Sequence, residues 1–323
     1  MTTPTPTPPK PKMSGSVAVL ANPANADCHQ LYTVENGQIA LELRDVDQKN
    51  IYSNYQGNST QKGYIWEAGS FAGIIQNSIP VVYGTTTTTD SKNVISRLSP
   101  YYNPIVDPDG KPIATDHKAL AACSVPGKQD YFVYFFQRST ASDPYVLQEL
   151  HLNPSGLKKN NADQATIKSY KAVTPATNSN LAALAFYYHY IFWGDDQIYY
   201  LSTRTPNAPL FLDGTGNIGD ASPLTVNSYT SKKVTGETVL RFTVYYVDRK
   251  HRLCSVTGEI DRNGTLGKTE AGVVEGADEV ADWSLLTVAN KDDTNYVYYV
   301  PNDNSGVYKA TLDQPWTKGS ASS

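Results

Sequence analysis

The sequence predicts an all-β chain folded as a six-bladed β-propeller, and three observations predict it. The regular segments are crowded with Tyr, Val, Thr and Ile, with 23 Tyr against two Met, residues that suit a pleated, half-buried surface. These segments form hairpins, clearest in LAALAFYYHYIFWGDDQIYYL from Leu181 to Leu201, where an apolar inner strand precedes two strands joined at Gly194-Asp195-Asp196-Gln197. Weaker copies recur at roughly 40–60 residues, the signature of a propeller or a similar array. One such unit cannot bury both faces, so neighbouring units must stack around an axis.

Taken in order, the first unit is Ser16–Leu20, Gln30–Val34 and Gln38–Leu43, turning at Glu35-Asn36-Gly37, and Asn-Gly is a strong hairpin signal. The second is Phe71–Ile75, Ile79–Tyr83 and Asn93–Ser96, with a long tip over Thr85–Asp90. It is the most degenerate copy, because Pro80 removes a ladder donor. The third is Ala119–Ala122, Tyr131–Phe136 and Tyr145–Leu150; the fourth is the hairpin stretch already quoted. The fifth is Leu224–Val226, Val239–Val247 and Arg252–Val256, and the sixth is Ser284–Val288, Tyr296–Val300 and Gly306–Ala310, closing at Trp316. Segments 97–117 and 152–178, rich in Pro, Asn, Asp and Lys, exceed simple connections and read equally as functional loops or as insertions. Residues 1–14, MTTPTPTPPKPKMS, form an unpacked Thr/Pro-rich tail ahead of a single domain over 15–323.

The net charge of −4 and pI near 5.7 give no basic field for a phosphate backbone. Lys232-Lys233 and Arg249-Lys250-His251-Arg252 are short solvated tips, so nucleic acid is not an expected partner. No apolar run approaches the ~20 residues that span a bilayer, and a membrane is not expected either. The N-terminus has no hydrophobic signal region, while sequons at Asn58 and Asn263 are compatible with secretion. Cys28, Cys123 and Cys254 show no metal or redox spacing, and Cys123 and Cys254 fall in strand patterns as small buried hydrophobes. One disulfide is possible, and nothing selects its pair. Asp107-Pro108-Asp109-Gly110 lacks the other ligands of a calcium loop and reads as a turn.

LAALAF at 181–186 and the recurring Val-Tyr-Tyr strands resemble the fungal fucose-binding lectins of six-bladed propeller fold. The resemblance extends over nearly the whole chain from the first strand onward. In that family a blade reads as an Ala-Ala-Ile/Val strand, an Arg-Val-Tyr-Tyr strand and an Ile-x-Glu strand, with sugar held between blades by the Arg and Glu. Here the Arg slot holds Gln30, Pro80, Phe132, His189, Thr243 and Tyr296, and the Glu slot holds Leu41, Ser96, Gln148, Tyr200, Ser255 and Lys309. Glu149 reaches the third slot by a one-residue slip, beside Phe132. Slots without that Arg and Glu cannot make the charge-assisted bonds a sugar site of this kind depends on.

The chain also looks, at the level of the fold, like fungal propeller proteins that act as hetero-Diels–Alderases in tropolone–sesquiterpenoid biosynthesis. That likeness implies cofactor-free cyclisation of a hydrophobic polyketide or terpenoid substrate in an aromatic cleft, with donors polarising a carbonyl. The alternative is a lectin-like carbohydrate-binding propeller of altered specificity. Alternation places Tyr187, His189, Ile191 and Trp193 on one strand face, and the lectin register sets His189 and Tyr200 in one cleft. His189, Tyr200 and Arg241 are the expected catalytic residues, since His titrates near neutrality. Trp193, Phe186, Tyr187, Trp66, Trp283 and His251 are the expected substrate contacts. No metal site or cofactor is expected.

Overall fold

The computed structural model describes residues 16–35, 37–46, 51–56, 64–66, 68–125, 127–152, 163–233, 235–303 and 305–315. The expected tail over 1–14, the Asn58 sequon and the closing Trp316 lie outside them. The described residues contain strands and no helix, arranged as six blades. Blade 1 is β1 (Ala18–Ala21), β2 (Cys28–Glu35), β3 (Gln38–Asp45) and β4 (Ile51–Gln56). Blade 2 holds β5 (Tyr64–Ile65) and β6 (Ala72–Gln76) along β7 (Ile79–Thr87), then β8 (Asn93–Ser99) and β9 (Asn103–Val106). Blade 3 is β10 (Leu120–Ser124), β11 (Tyr131–Gln137), β12 (Val146–Leu152) and β13 (Asp163–Tyr170). Blade 4 is β14 (Leu181–Ala185), β15 (His189–Gly194), β16 (Ile198–Ser202) and β17 (Leu210–Phe211). Blade 5 is β18 (Thr225–Lys232), β19 (Thr238–Val247), β20 (Leu253–Ile260) and β21 (Glu270–Val273). Blade 6 is β22 (Thr287–Lys291), β23 (Thr294–Tyr299) and β24 (Lys309–Asp313).

The three-strand unit is therefore one strand short in five blades. Segments 97–117 and 152–178 are neither pure loops nor insertions, because they supply β9 and β13. Those two strands pair in parallel, Asp163 opposite Ile105, and join blades 2 and 3 into one sheet. The expected tip at Thr85–Asp90 is also shorter, since the β-branched threonines extend β7 to Thr87. Pro80 is tolerated near the start of that strand, opposite Ile75. Asp107–Gly110 is a turn as expected, with Asp107 Oδ1 accepting from the Asp109 and Lys111 amides and Gly110 at a φ of 84°. All three cysteines are free and buried.

The inner strands β1, β6, β10, β14, β18 and β22 contact one another in sequence, and β22 returns to β1. Val19 N donates to Thr287 Oγ1 at 2.9 Å and Arg44 Nη1 to the Tyr308 carbonyl at 2.6 Å, tying the last blade to the first. The six inner strands line a central channel of about 140 Å³.

The packing has one repeated feature. Tyr32, Tyr83, Tyr134, Phe192, Tyr245 and Tyr298 stand opposite Ala18, Ala72, Ala121, Ala182, Thr225 and Thr287 of the inner strands. Each of these rings is buried in the cluster its blade shares with the next. A small inner residue beside a large second-strand ring lets the blades converge at the axis and fill the widening gap outward.

Candidate functional site

At four of the six junctions, the residue three before the next blade's ring position meets the ring. Tyr298 Oη meets His29 Nδ1 at 2.9 Å, Tyr134 Oη meets His189 Nδ1 at 2.7 Å, and Asn295 Nδ2 donates to Tyr245 Oη at 2.7 Å. Where the ring is Phe192, the same place holds Phe242, with centroids 5.5 Å apart. His189 thus belongs to a repeated set of contacts that fasten one blade to the next.

The junction between blades 3 and 4 departs from that repeat by adding a carboxylate. In the β11–β12 register Glu149 stands opposite Tyr134 and Gln148 opposite Phe135. It is therefore Glu149, and not the slot residue Gln148, that faces blade 4. Its Oε2 accepts from Tyr134 Oη and from Tyr170 Oη, each at 2.8 Å, and lies 3.5 Å from His189 Nδ1. Tyr134 has one hydroxyl proton and gives it to Glu149, so His189 Nδ1 carries the hydrogen between the two.

Burial alone would raise the Glu149 carboxyl, but hydrogen bonds from His189, Tyr170 and Tyr134 outweigh it and hold the group below its ordinary value. Burial pushes the Tyr134 hydroxyl well up, helped by Cys123 and Glu149. The Cys123 thiol is raised by burial and by the Glu149 charge, so it is no thiolate nucleophile. The Phe132 ring lies 3.9 Å from His189 on one side and stacks on His151 at 4.6 Å on the other. His151 Nε2 is 3.1 Å from Asp130. The His189 side chain keeps 14% exposure, whereas His29 in the equivalent place keeps 1%.

The expected catalytic set is not brought together. Phe192 pairs with Tyr200 and Ile191 with Leu201, so strand alternation sends His189 and Tyr200 to opposite faces of blade 4. Tyr200 is core toward blade 5, together with Phe186. Trp193 shares the His189 face but is buried in the blade 3–4 cluster, stacked on Tyr199 at 5.6 Å. Tyr187 is exposed, 4.4 Å from Phe186. Arg241 sits in blade 5 and is bonded to Glu259 at 2.9 Å. Trp66, whose amide donates to the Thr85 carbonyl, belongs to blade 2, and exposed Trp283 and His251 lie between blades 5 and 6. The fifth-blade slots do share a face, with Thr243 opposite Thr257 and Ser255 opposite Tyr245, two residues further along.

Glu149, Tyr134 and Tyr170 were not among the expected catalytic or contact residues. The signal for them was the one-residue slip at Glu149, and only the strand register could choose it. Among the described residues, no group of three or more His, Cys, Asp or Glu is placed to hold a metal ion.

No family model matches the chain. It is 31% identical over 299 residues to the "Wall-associated proteinase" of Coccidioides immitis, a match that covers 90% of this chain and 93% of that protein. The protein of the same name from Coccidioides posadasii matches to the same extent. Among solved structures it resembles the fucose-specific lectin from Aleuria aurantia, with a TM-score of 0.59 at 12% identity over 93% of this chain and 96% of that one. It also resembles the SapL1 lectin in complex with alpha methyl fucoside, with a TM-score of 0.58 at 11% identity over 94% of each chain. At such identities the lectins share the propeller fold and nothing finer follows.

Proposed function

The chain belongs to the family of the Coccidioides wall-associated proteinases, and from that premise and the geometry of the blade 3–4 junction we propose that it is a cofactor-independent cyclase, a lectin-like propeller holding a small hydrophobic polyketide or terpenoid at His189. One observation supports the reading: a hydrogen-bonded His189–Tyr134–Glu149 group stands at the junction of blades 3 and 4, with Phe132 as its apolar wall. Glu149 and Tyr134 fix the ring through Nδ1 and stabilise the imidazolium, the arrangement that orients a catalytic histidine. From Nε2 the protonated ring donates to a carbonyl oxygen and draws electron density from the heterodiene. In a cycloaddition of the hetero-Diels–Alder type, two σ bonds form from π bonds and nothing leaves, so no cofactor takes part.

Peptide hydrolysis, which the relatives' name implies for them, needs an activated nucleophile. Cys123 is held as a thiol. Ser222 spends its hydroxyl on the Pro223 carbonyl and the Val247 amide, as Ser284 does on Leu285 and Val300 in the next blade. That repetition marks Ser222 as a fastening of the blade. The name of the relatives also supports placement in the secretory pathway or cell wall.

The test follows conversion of a quinone methide and an electron-rich alkene with and without the protein. The expected result is faster, stereoselective ring closure that His189→Gln loses while staying folded. Equal rates with and without protein would overturn the reading. A second reading, carbohydrate binding, has its own observation. Tyr229, Arg241 and Glu259 stand side by side across β18, β19 and β20, an aromatic, a guanidinium and a carboxylate at the blade 5–6 junction. Saturable glycan binding lost in Arg241→Ala would favour it.

A further inference from the structure

A cavity of about 650 Å³ lies at the junction of blades 5 and 6, away from His189, and is walled by residues 219–223, the turn 247–251, Ala281 and Asp282. Its turn is built like two others in the chain. At 107–111 and 261–265 an aspartate carbonyl accepts from the amide three residues on, and its side chain accepts from the amide four residues on. The residue three on is Gly110 in one and Gly264 in the other, each at positive φ. At 248–252 Asp248 makes the same two bonds, but the left-handed position is filled by His251, at a φ of 60°. A side chain there costs backbone strain that glycine avoids. The ring it places bonds Asp282 of the next blade, Nδ1 to Oδ1 at 2.9 Å. Ala221, on the opposite wall, is also left-handed, at a φ of 56°. Two strained non-glycine residues thus line one cavity, and such strain gathers where a ligand is clamped.

The charges on the wall are of both signs. Asp248 is neutralised by Arg252 through two bonds to Oδ2 at 2.8 and 2.6 Å, and Asp282 is engaged by His251. Arg249 spends only Nε, on the Ile218 carbonyl at 3.3 Å, and makes no ion pair among the described residues; nor does exposed Asp220. A guanidinium and a carboxylate lining one cavity, each without an ionic partner among the described residues, match a ligand that carries both an anion and a cation. We propose that this cavity binds a small zwitterion of the amino-acid type, a free amino acid or a short peptide, with Arg249 on its carboxylate, Asp220 on its ammonium group, and the His251–Asp282 pair closing the side toward blade 6.

The experiment is calorimetric titration of the full chain with the dipeptide Ala-Ala. Saturable binding at one site per chain is expected, weakened at least tenfold by Arg249→Ala, by Asp220→Asn and by His251→Gly. His251→Gly relieves the backbone and should melt no lower than the parent, so its loss of binding cannot be assigned to unfolding. No binding by the parent chain, or binding that all three variants leave unchanged, would overturn the proposal. Binding of methyl glycosides in place of the dipeptide would overturn it too.

Discussion

Tyr134 of blade 3 and His189 of blade 4 meet at 2.7 Å, and the tyrosine hydroxyl donates a hydrogen bond to Glu149. The contact crosses a blade junction, so it couples the position of a reactive ring to the packing of two sheets. Tyr134→Phe leaves Glu149 buried with one donor fewer, an expected loss of about 1–3 kcal/mol by denaturant titration. Combined with His189→Ala, it should be non-additive by about 0.5–3 kcal/mol. On the cyclase reading, His189→Gln lowers turnover by roughly 10²–10⁴, the usual contribution of a positioned acid or base, with little change in Tm.

Acid should loosen two other histidines first. Burial lowers His29 and His117 from 6.5 to about 4. Between those values the unfolded chain binds protons that the folded chain refuses, so stability falls as pH drops from about 6.5 to 4 and is not lost further below that. Each histidine contributes up to roughly 3 kcal/mol of that loss. His29→Asn borrows the residue that blade 6 uses at the equivalent place, Asn295, and should flatten the dependence of Tm on pH. An unchanged slope would show that His29 takes up its proton at the same pH in the folded and the unfolded chain.

Glu149 adds a separate loss at lower pH. Its carboxyl is depressed in the folded state, so its contribution is full above the ordinary carboxylate pKa of about 4.3 and disappears as pH falls through the lower folded value. Glu149→Gln should therefore remove part of the acid sensitivity below that point and leave the region above it unaltered, read from urea midpoints across pH.

The ring of aromatics predicts opposite responses to one oxygen atom. Phe192 is buried against Phe242 in an apolar cluster, and Phe192→Tyr should destabilise by about 1–3 kcal/mol through an unpaired hydroxyl. Tyr245 donates to Asp313 at 2.8 Å and accepts from Asn295. Tyr245→Phe should cost a similar amount because it strands both partners. Thermal melts should fall for both variants, in one from an oxygen added and in the other from an oxygen removed.

Blade 2 should not tolerate a methyl at Gly84. A Cβ there would stand 2.6 Å from Leu98 Cδ1 and 3.0 Å from Phe71 Cδ1, and Gly84→Ala should cost about 1–3 kcal/mol by overpacking. Adding Leu98→Val should recover part of it.

The strand composition, the six hairpins and their spacing determined the propeller, because alternation and turn chemistry are local properties that the chain carries wherever it folds. The fourth strands escaped that reading. The exposed run of β13, Thr166–Ser169, carries no alternating apolar signal, and β9, four residues with Ile105 and Val106 buried, is too short to show one; both are strands because a neighbour pairs with them. The functional site was legible only in its first member. His189 stood out as a polar ring among aromatics, but its partner was read as Tyr200, and a one-residue difference in register turns a side chain to the opposite face. Tertiary structure alone decided that His189 looks back at Tyr134 and Glu149 of the preceding blade, since those three meet across two sheets packed around an axis. Nor could sequence spacing reveal that His251 fills a glycine's place in a repeated turn to reach Asp282, because that contact depends on the angle between blades 5 and 6.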